Sequence, residues 1–396
     1  MGISKRMSGI PASPIRKLTP FANKAKERGI TVYHINIGQP DIKTPSKALD
    51  KVKEFDKKVL KYSQSDGIFD LKESITNYFN SLNYDLSTEN IIVTNGGSEA
   101  IYFSFMVSMD NGEEVLIPEP YYANYNGFAK MAGVNVKPIK TNVEDGFMLP
   151  SKDKIESFIT EKTKAILMCS PNNPTGTVHE KEDYKKVTYL AKKYDLTVIG
   201  DEVYNEFVYD DKNHFSVMEF EEIKDRTILI DSVSKRYSAC GARIGAFITK
   251  NQKYIDAVMS LAQARLCPPT LEQVLAAELY RTDKSYIKEA KKEYRKRRDI
   301  VYEELNKIDG IVAHKPSGAF YTVVKLPINN TEKFAKWLLT DFQEDGETVM
   351  VAPASGFYAS DNDGKDEIRI AYILEEKNMR RSIKLLKKAL EVYKNS

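Results

Sequence analysis

Six short stretches of nearly unbroken apolar residues run through the middle of the chain, each of strand length. They are Asn90 to Asn95 (NIIVTN), Glu114 to Pro118 (EVLIP), Lys164 to Ser170 (KAILMCS), Leu196 to Glu202 (LTVIGDE), Arg226 to Ser232 (RTILIDS) and Ile244 to Lys250 (IGAFITK). Continuous apolar character, without alternation, means that both faces of such a strand are covered, the pattern of a mostly parallel sheet. Several runs are separated by stretches with helical charge patterning. An α/β fold is therefore expected, with a mostly parallel central sheet and helices on both faces. Polar residues cluster just after the runs, at the strand ends where open α/β sheets place their ligands, so a reactive centre is expected there.

From about Ser285 the texture changes to a long charged helical stretch, then shorter segments, then an amphipathic helix from Glu375 to Lys394. This reads as a second, smaller α+β domain, in keeping with 396 residues, too long for one ordinary core. Residues Gly2 to Pro14 include Pro11 and Pro14 and show no sustained apolar period, so an arm is expected there. The expected division is an arm over 1–14, a large domain over 45–285, and a small domain made of 15–44 and 286–396.

Composition narrows the function classes. Hydrophobic residues make up 42% and charged residues 29%, and 59 basic against 56 acidic side chains leave a net charge of only +3. With the two signs interspersed, nothing supports a nucleic-acid footprint. The basic run from Lys288 to Arg298 (KEAKKEYRKRR) is expected to be a solvated helix face. The first residues lack the apolar core of a signal peptide, Arg6 breaks a myristoylation pattern starting at Gly2, and no apolar run is long enough to span a bilayer. Cys169, Cys240 and Cys267 are odd in number and lack metal-ligand spacing, which points to a reducing cytoplasm, no disulfide framework and no metal.

Candidate chemistry lies at three strand ends. Asp231 to Gly245 (DSVSKRYSACGARIG) places Lys235 directly after an apolar run, with Ser232 and Ser234 before it and Arg243 eight positions on. A buried lysine is expected to have a lowered pKa and to attack carbonyl carbon, while hydroxyls and a guanidinium can grip a phosphate. Thr197 to Tyr204 (TVIGDEVY) places Asp201 at a strand tip with the Tyr204 phenol three residues later. Ser170 to Gly176 (SPNNPTG) is a turn that presents Asn173. Singly, Lys235 reads as a surface-loop lysine, Asp201 as a helix cap and Asn173 as a turn residue.

Together and in this order, these segments resemble the class I aminotransferases of the fold-type I pyridoxal-phosphate superfamily, in particular aspartate aminotransferases. The resemblance runs over nearly the whole chain. It implies that Lys235 carries pyridoxal 5′-phosphate through its amine and then moves a proton from the substrate Cα. It further implies that Asp201 partners the pyridine nitrogen, that Tyr204 and Asn173 contact the ring oxygen, and that Ser232, Ser234 and Arg243 hold the phosphate. Gly96, Gly97 and Ser98 open a helix whose amides make a second phosphate grip. Tyr122, in Pro118 to Tyr125, matches the aromatic plane over the ring. Gly38 lies where backbone approaches the substrate carboxylate, and Arg369, in Glu367 to Ala371 (EIRIA), matches the fork for that carboxylate; Asn173 also faces the substrate. Gly38, Tyr122 and Arg369 each also have a plain structural reading, as a turn glycine, a packed aromatic and a salt-bridged arginine.

Tyr62 matches a tyrosine that reaches the phosphate of a neighbouring subunit, which implies a homodimer with shared active sites. Arg265 lies where some relatives present a second arginine to a distal carboxylate, and a surface or interface salt bridge is the alternative. The resemblance thus implies transamination between an amino acid, aspartate first, and a 2-oxo acid, 2-oxoglutarate first. Aromatic amino acids or alanine are the other substrates considered. A C–S β-lyase of the same fold and a non-catalytic ligand-binding homologue are the other activities. Segments Pro316 to Tyr321 and Ser355 to Phe357 also resemble small-domain segments near the substrate.

Overall fold

The computed structural model describes residues 2–4, 7, 10, 13–360 and 362–394. The expected arm over 1–14, with Arg6 and Pro11, falls partly outside the described residues. All six apolar runs are strands of one seven-stranded sheet: β2 (Ile91–Thr94), β3 (Glu114–Glu119), β5 (Thr163–Cys169), β6 (Thr197–Asp201), β7 (Thr227–Ser232) and β8 (Gly245–Ile248). The seventh, β4 (Asn135–Lys140), was not expected. It is an edge strand holding Pro138 and only partly covered, so it lacks the continuous apolar signature of its neighbours.

The spatial order is β2-β8-β7-β6-β5-β3-β4. Neighbours from β7 to β4 run parallel, and β8 alone is antiparallel to both β7 and β2. Alternate residues feed two separate cores, as the pleat requires. Leu116, Ile166, Met168, Val198 and Leu229 enter one, and Val115, Ile117, Leu167, Ile199 and Ile230 enter the other.

A smaller unit contains the parallel pair β1 (Thr31–His34) and β11 (Glu347–Met350), and an antiparallel sheet of β12 (Ala352–Pro353), β13 (Glu367–Ala371), β10 (Tyr321–Lys325) and β9 (Val312–Ala313). Helices Thr19–Glu27, Lys284–Leu305, Thr331–Thr340 and Glu376–Lys394 pack on these strands. Their core also takes in Tyr204, Phe207 and Tyr209 from the loop after β6. That loop thereby fastens the strand end bearing Asp201 to the second unit.

The basic run on helix Lys284–Leu305 differs from its expectation. Lys288, Lys292, Arg295 and Lys296 are exposed, but Arg297 and Arg298 are buried. Each has a carboxylate to neutralise it: Arg297 binds Asp41 at 2.6 Å and Glu293 at 2.8 Å, and Arg298 binds Asp210 at 2.8 Å. Among the described residues no helix is long and apolar enough to cross a membrane, and no group of histidine, cysteine and acidic side chains is placed to hold a metal ion.

Candidate active site

Three parallel strands end side by side, and their last residues or the turns after them carry the polar groups. Asp201 is the final residue of β6, paired with Cys169 of β5 and Ile230 of β7. Its Oδ2 accepts the Tyr125 hydroxyl at 2.6 Å, while its buried Oδ1 has no partner among the described residues. Burial pushes the carboxyl up to about 6, against the Tyr125 hydroxyl and the Val203 N–H, which pull it down. Tyr125 was not singled out from sequence, although it stands only three residues after Tyr122.

Strand β7 ends at Ser232, whose Oγ accepts the Ser234 N–H at 3.2 Å and donates to the Ile244 carbonyl at 3.0 Å. The cap starts a single helical turn, Val233–Arg236, that points Lys235 into the cleft. Lys235 Nζ donates to the Gly38 carbonyl at 2.8 Å and lies 3.9 Å from Cys240 Sγ. The expected lowering of its pKa is not found. Burial does pull the ammonium down, but the Tyr321 and Tyr122 phenols and the Cys240 thiol outweigh it, and the net direction is up.

Beneath this turn lies a buried pair that sequence reading passed over. Arg236 donates to Asp231 at 2.7 and 3.0 Å and to Asn205 Oδ1 at 2.8 Å, and its guanidinium sits 4.3 Å from the centre of the Tyr78 ring. Tyr280 adds a bond to Asp231 at 2.6 Å. Asp231 precedes Ser232, Arg236 follows Lys235 and Asn205 follows Tyr204, so one guanidinium holds the backbone beneath three site residues. Adjacency to Lys235 was the available signal.

In the turn after β5, Asn172 Oδ1 accepts from Thr175 N at 3.1 Å and Thr175 Oγ1 at 3.0 Å. That use of Asn172 leaves Asn173 to face the cleft, where its Oδ1 accepts Arg369 Nη1 at 2.9 Å. Arg369, at mid-strand in β13, is 1% exposed. Its Nη2 donates to the Asn36 carbonyl at 2.6 Å, its Nε has no partner, and its planar group lies 4.6 Å from the Tyr321 ring and 4.8 Å from the Phe357 ring. No carboxylate among the described residues pairs with it. Tyr204 Oη lies 2.9 Å from Tyr321 Oη, and a Cβ at Gly38 would meet Tyr321 Oη at 1.7 Å, so only glycine fits there.

At the other end of the cleft, helix Gly97–Ser108 opens behind Gly96 at φ +74°, with Ser98 half-buried in its first turn. Arg243 is exposed, donates to the Asn95 and Cys240 carbonyls at 3.4 and 3.1 Å, and lies over Gly96, where an added Cβ would meet Nη2 at 2.3 Å. Gly97 faces Ser232, its Cβ position 3.9 Å from Ser232 Cβ. Helix amides, a hydroxyl and a guanidinium with no carboxylate partner among the described residues thus make a setting suited to an anion. Tyr122 packs edge-on against Tyr125 with ring centres 5.5 Å apart and accepts from Asn124 Nδ2 at 2.7 Å.

Two residues do not join this group within the chain. Tyr62 is 80% exposed. Arg265 donates to the Ser65 and Val93 carbonyls, both at 3.1 Å, and its Nε lies 3.5 Å from Glu99 Oε2, a structural placement that shares no contact with Arg369, Asn173 or Lys235.

Comparison with known proteins gives these features a context. The family described as aminotransferase class I and II matches residues 31–386. A crystal structure of an aspartate aminotransferase from Thermotoga maritima superposes with a TM-score of 0.89 at 30% identity, covering 100% of both chains. An alanine aminotransferase from Pyrococcus furiosus superposes with a TM-score of 0.90 at 29% identity, over 99% of this chain and 100% of that one. An aromatic-amino-acid aminotransferase of Thermococcus litoralis is 30% identical over 99% of each chain.

Proposed function

Because the chain belongs to the class I and II aminotransferases, a family that transfers amino groups between amino acids and oxo acids with pyridoxal phosphate, we propose that its cleft holds that cofactor and works as follows. The residues fit the group. Asp201 offers a buried, unpartnered oxygen to a protonated ring nitrogen, and the cradle of Gly96, Gly97, Ser98, Ser232, Ser234 and Arg243 suits a phosphate. Tyr204 and Asn173 serve the ring oxygen, and Tyr122 covers the ring face. When bound, pyridoxal phosphate supplies the electron sink that lets a substrate Cα–H bond ionise.

Lys235 is the residue that holds the cofactor and afterwards takes the proton released at the substrate Cα. Arg369 receives the substrate α-carboxylate, with Gly38 and Asn173 beside it. The observation that carries this reading is Arg369 itself, a fully buried guanidinium with an unpartnered Nε and no carboxylate of its own. A buried cation without an anion is costly, and an incoming carboxylate relieves that cost.

The first substrate reading remains aspartate with 2-oxoglutarate, supported by relatives that bear the aspartate name. One observation favours a substrate without a distal carboxylate, alanine or an aromatic amino acid, as a second: Arg265, the candidate reader of that carboxylate, is already engaged by two carbonyls and by Glu99. The same reading takes 45–285 as the cofactor-binding domain, with 15–44 and 286–396 as the small domain. It makes the enzyme a homodimer in which exposed Tyr62, beside exposed Val59, Leu60 and Phe69, meets the neighbouring site. A reducing, cytoplasmic setting suits three unpaired thiols. Lys235→Ala is the test: the variant should lose both turnover and the visible absorbance of lysine-bound cofactor, and full activity in it would end the assignment.

A further inference from the structure

Tyr321 touches three groups at the substrate end of the cleft, Arg369, Tyr204 and Gly38. It opens β10, is 2% exposed, and sits in register with Ala371, two residues beyond Arg369 on β13. Its ring carries the Arg369 guanidinium at 4.6 Å and meets the Tyr204 ring edge-on, with centres 5.7 Å apart. Its hydroxyl lies 2.9 Å from Tyr204 Oη and 3.4 Å from the Gly38 carbonyl.

Resting on the function proposed above, we propose that Tyr321 is a positioning residue that fixes the direction of the Tyr204 proton and the plane of Arg369 together. At 3.4 Å the Gly38 carbonyl is a poorer acceptor for Tyr321 than Tyr204 Oη at 2.9 Å. The Tyr321 proton therefore goes to Tyr204 Oη. A phenol has one proton, and Tyr204 has no other hydrogen-bond partner among the described residues. With its oxygen occupied as acceptor, Tyr204 directs its own proton away from Tyr321, into the cleft and toward the ring oxygen. Such chained hydrogen bonds strengthen one another. Meanwhile the Tyr321 ring, with Phe357 on the other contact, keeps the guanidinium flat for a two-point carboxylate grip.

The two roles separate by substitution. Tyr321→Phe keeps the ring and removes the hydroxyl, whereas Tyr321→Leu removes both. The cofactor-loaded proteins are titrated with base while their visible absorbance is followed, and KM for the amino acid is measured alongside. A donor at the ring oxygen favours its anionic form, so Tyr321→Phe should move the absorbance midpoint upward by roughly half a pH unit, with KM within about twofold of wild type. Tyr321→Leu should raise KM by roughly tenfold through the lost platform under Arg369. An unmoved midpoint in Tyr321→Phe, or equal KM effects in both variants, would overturn the inference. If the wild type itself shows no Lys235-dependent visible absorbance, the proposed function fails instead, and the two failures are told apart by the Lys235→Ala control.

Discussion

Asp201 is buried with one carboxylate oxygen lacking a donor, and that burial sets its response to pH. Its pKa in the folded chain lies at about 6 against an ordinary value of 3.8. Between those two values the folded state binds more protons than the unfolded one, so stability falls as pH rises through that window. In cofactor-free protein, Asp201→Asn should remove this dependence and gain on the order of 2 kcal/mol over wild type above pH 7. Melting curves across pH check it; parallel curves for the two proteins would show that the carboxyl carries no such strain. Arg369→Leu should raise KM for the amino acid by roughly 30- to 100-fold, the size of a lost charge-assisted bond pair. Steady-state kinetics on the purified variant reads this directly. Lys235, Asp201 and Asn173 are legible in sequence because each follows an apolar run, where the sheet ends and polar groups gather. Tyr125 and Tyr321 lie in segments that the resemblance brings near the site, but the two phenols themselves are not legible, because one phenol among 23 tyrosines carries no pattern that distinguishes a site partner from a core ring.

At the scale of elements, the turn after β7 is held from below. Arg236 and Asp231 are both fully buried, and removing one leaves the other's charge uncompensated. Arg236→Met should therefore cost about 3–5 kcal/mol, whereas Tyr280→Phe, which removes a single bond to Asp231, should cost about 1–2 kcal/mol. Chemical denaturation of both variants tests the order, and equal losses would contradict the keystone role of Arg236. Six of the seven strands, edge strand β2 among them, are legible because burial on both faces forces unbroken apolar runs. Edge strand β4 escapes, since its partial exposure and Pro138 break that pattern. The basic run at 288–298 misleads for a related reason: charge pattern shows the face of a helix but not which distant carboxylates, here Asp41 and Asp210, come to meet it.

For the whole molecule, the fold is that of the class I and II aminotransferases, with the cleft where three parallel strands end and Arg369 of β13 reaches Asn173. In the proposed homodimer a second copy of the chain would cover exposed Tyr62 and the exposed Val59, Leu60 and Phe69 of the same stretch of sequence. Tyr62→Ala mixed with Lys235→Ala should then recover a fraction of activity through hybrid dimers, each holding one intact site; no recovery would place Tyr62 and Lys235 of one chain in the same site, and full activity of Tyr62→Ala alone would remove Tyr62 from it. Substrate choice is the least legible property, because it depends on the few groups lining one end of the cleft, and Arg265 is not among the groups assembled around Arg369. The most direct test of the central claim is a single-turnover half-reaction of the cofactor-loaded enzyme with aspartate, alanine and aromatic amino acids, following the visible absorbance and identifying products. The account predicts one equivalent of the matching 2-oxo acid, retention of the amino group on the enzyme, and return of the absorbance on adding 2-oxoglutarate. Release of ammonia with pyruvate from a sulfur amino acid, or no half-reaction with any amino acid, would contradict it.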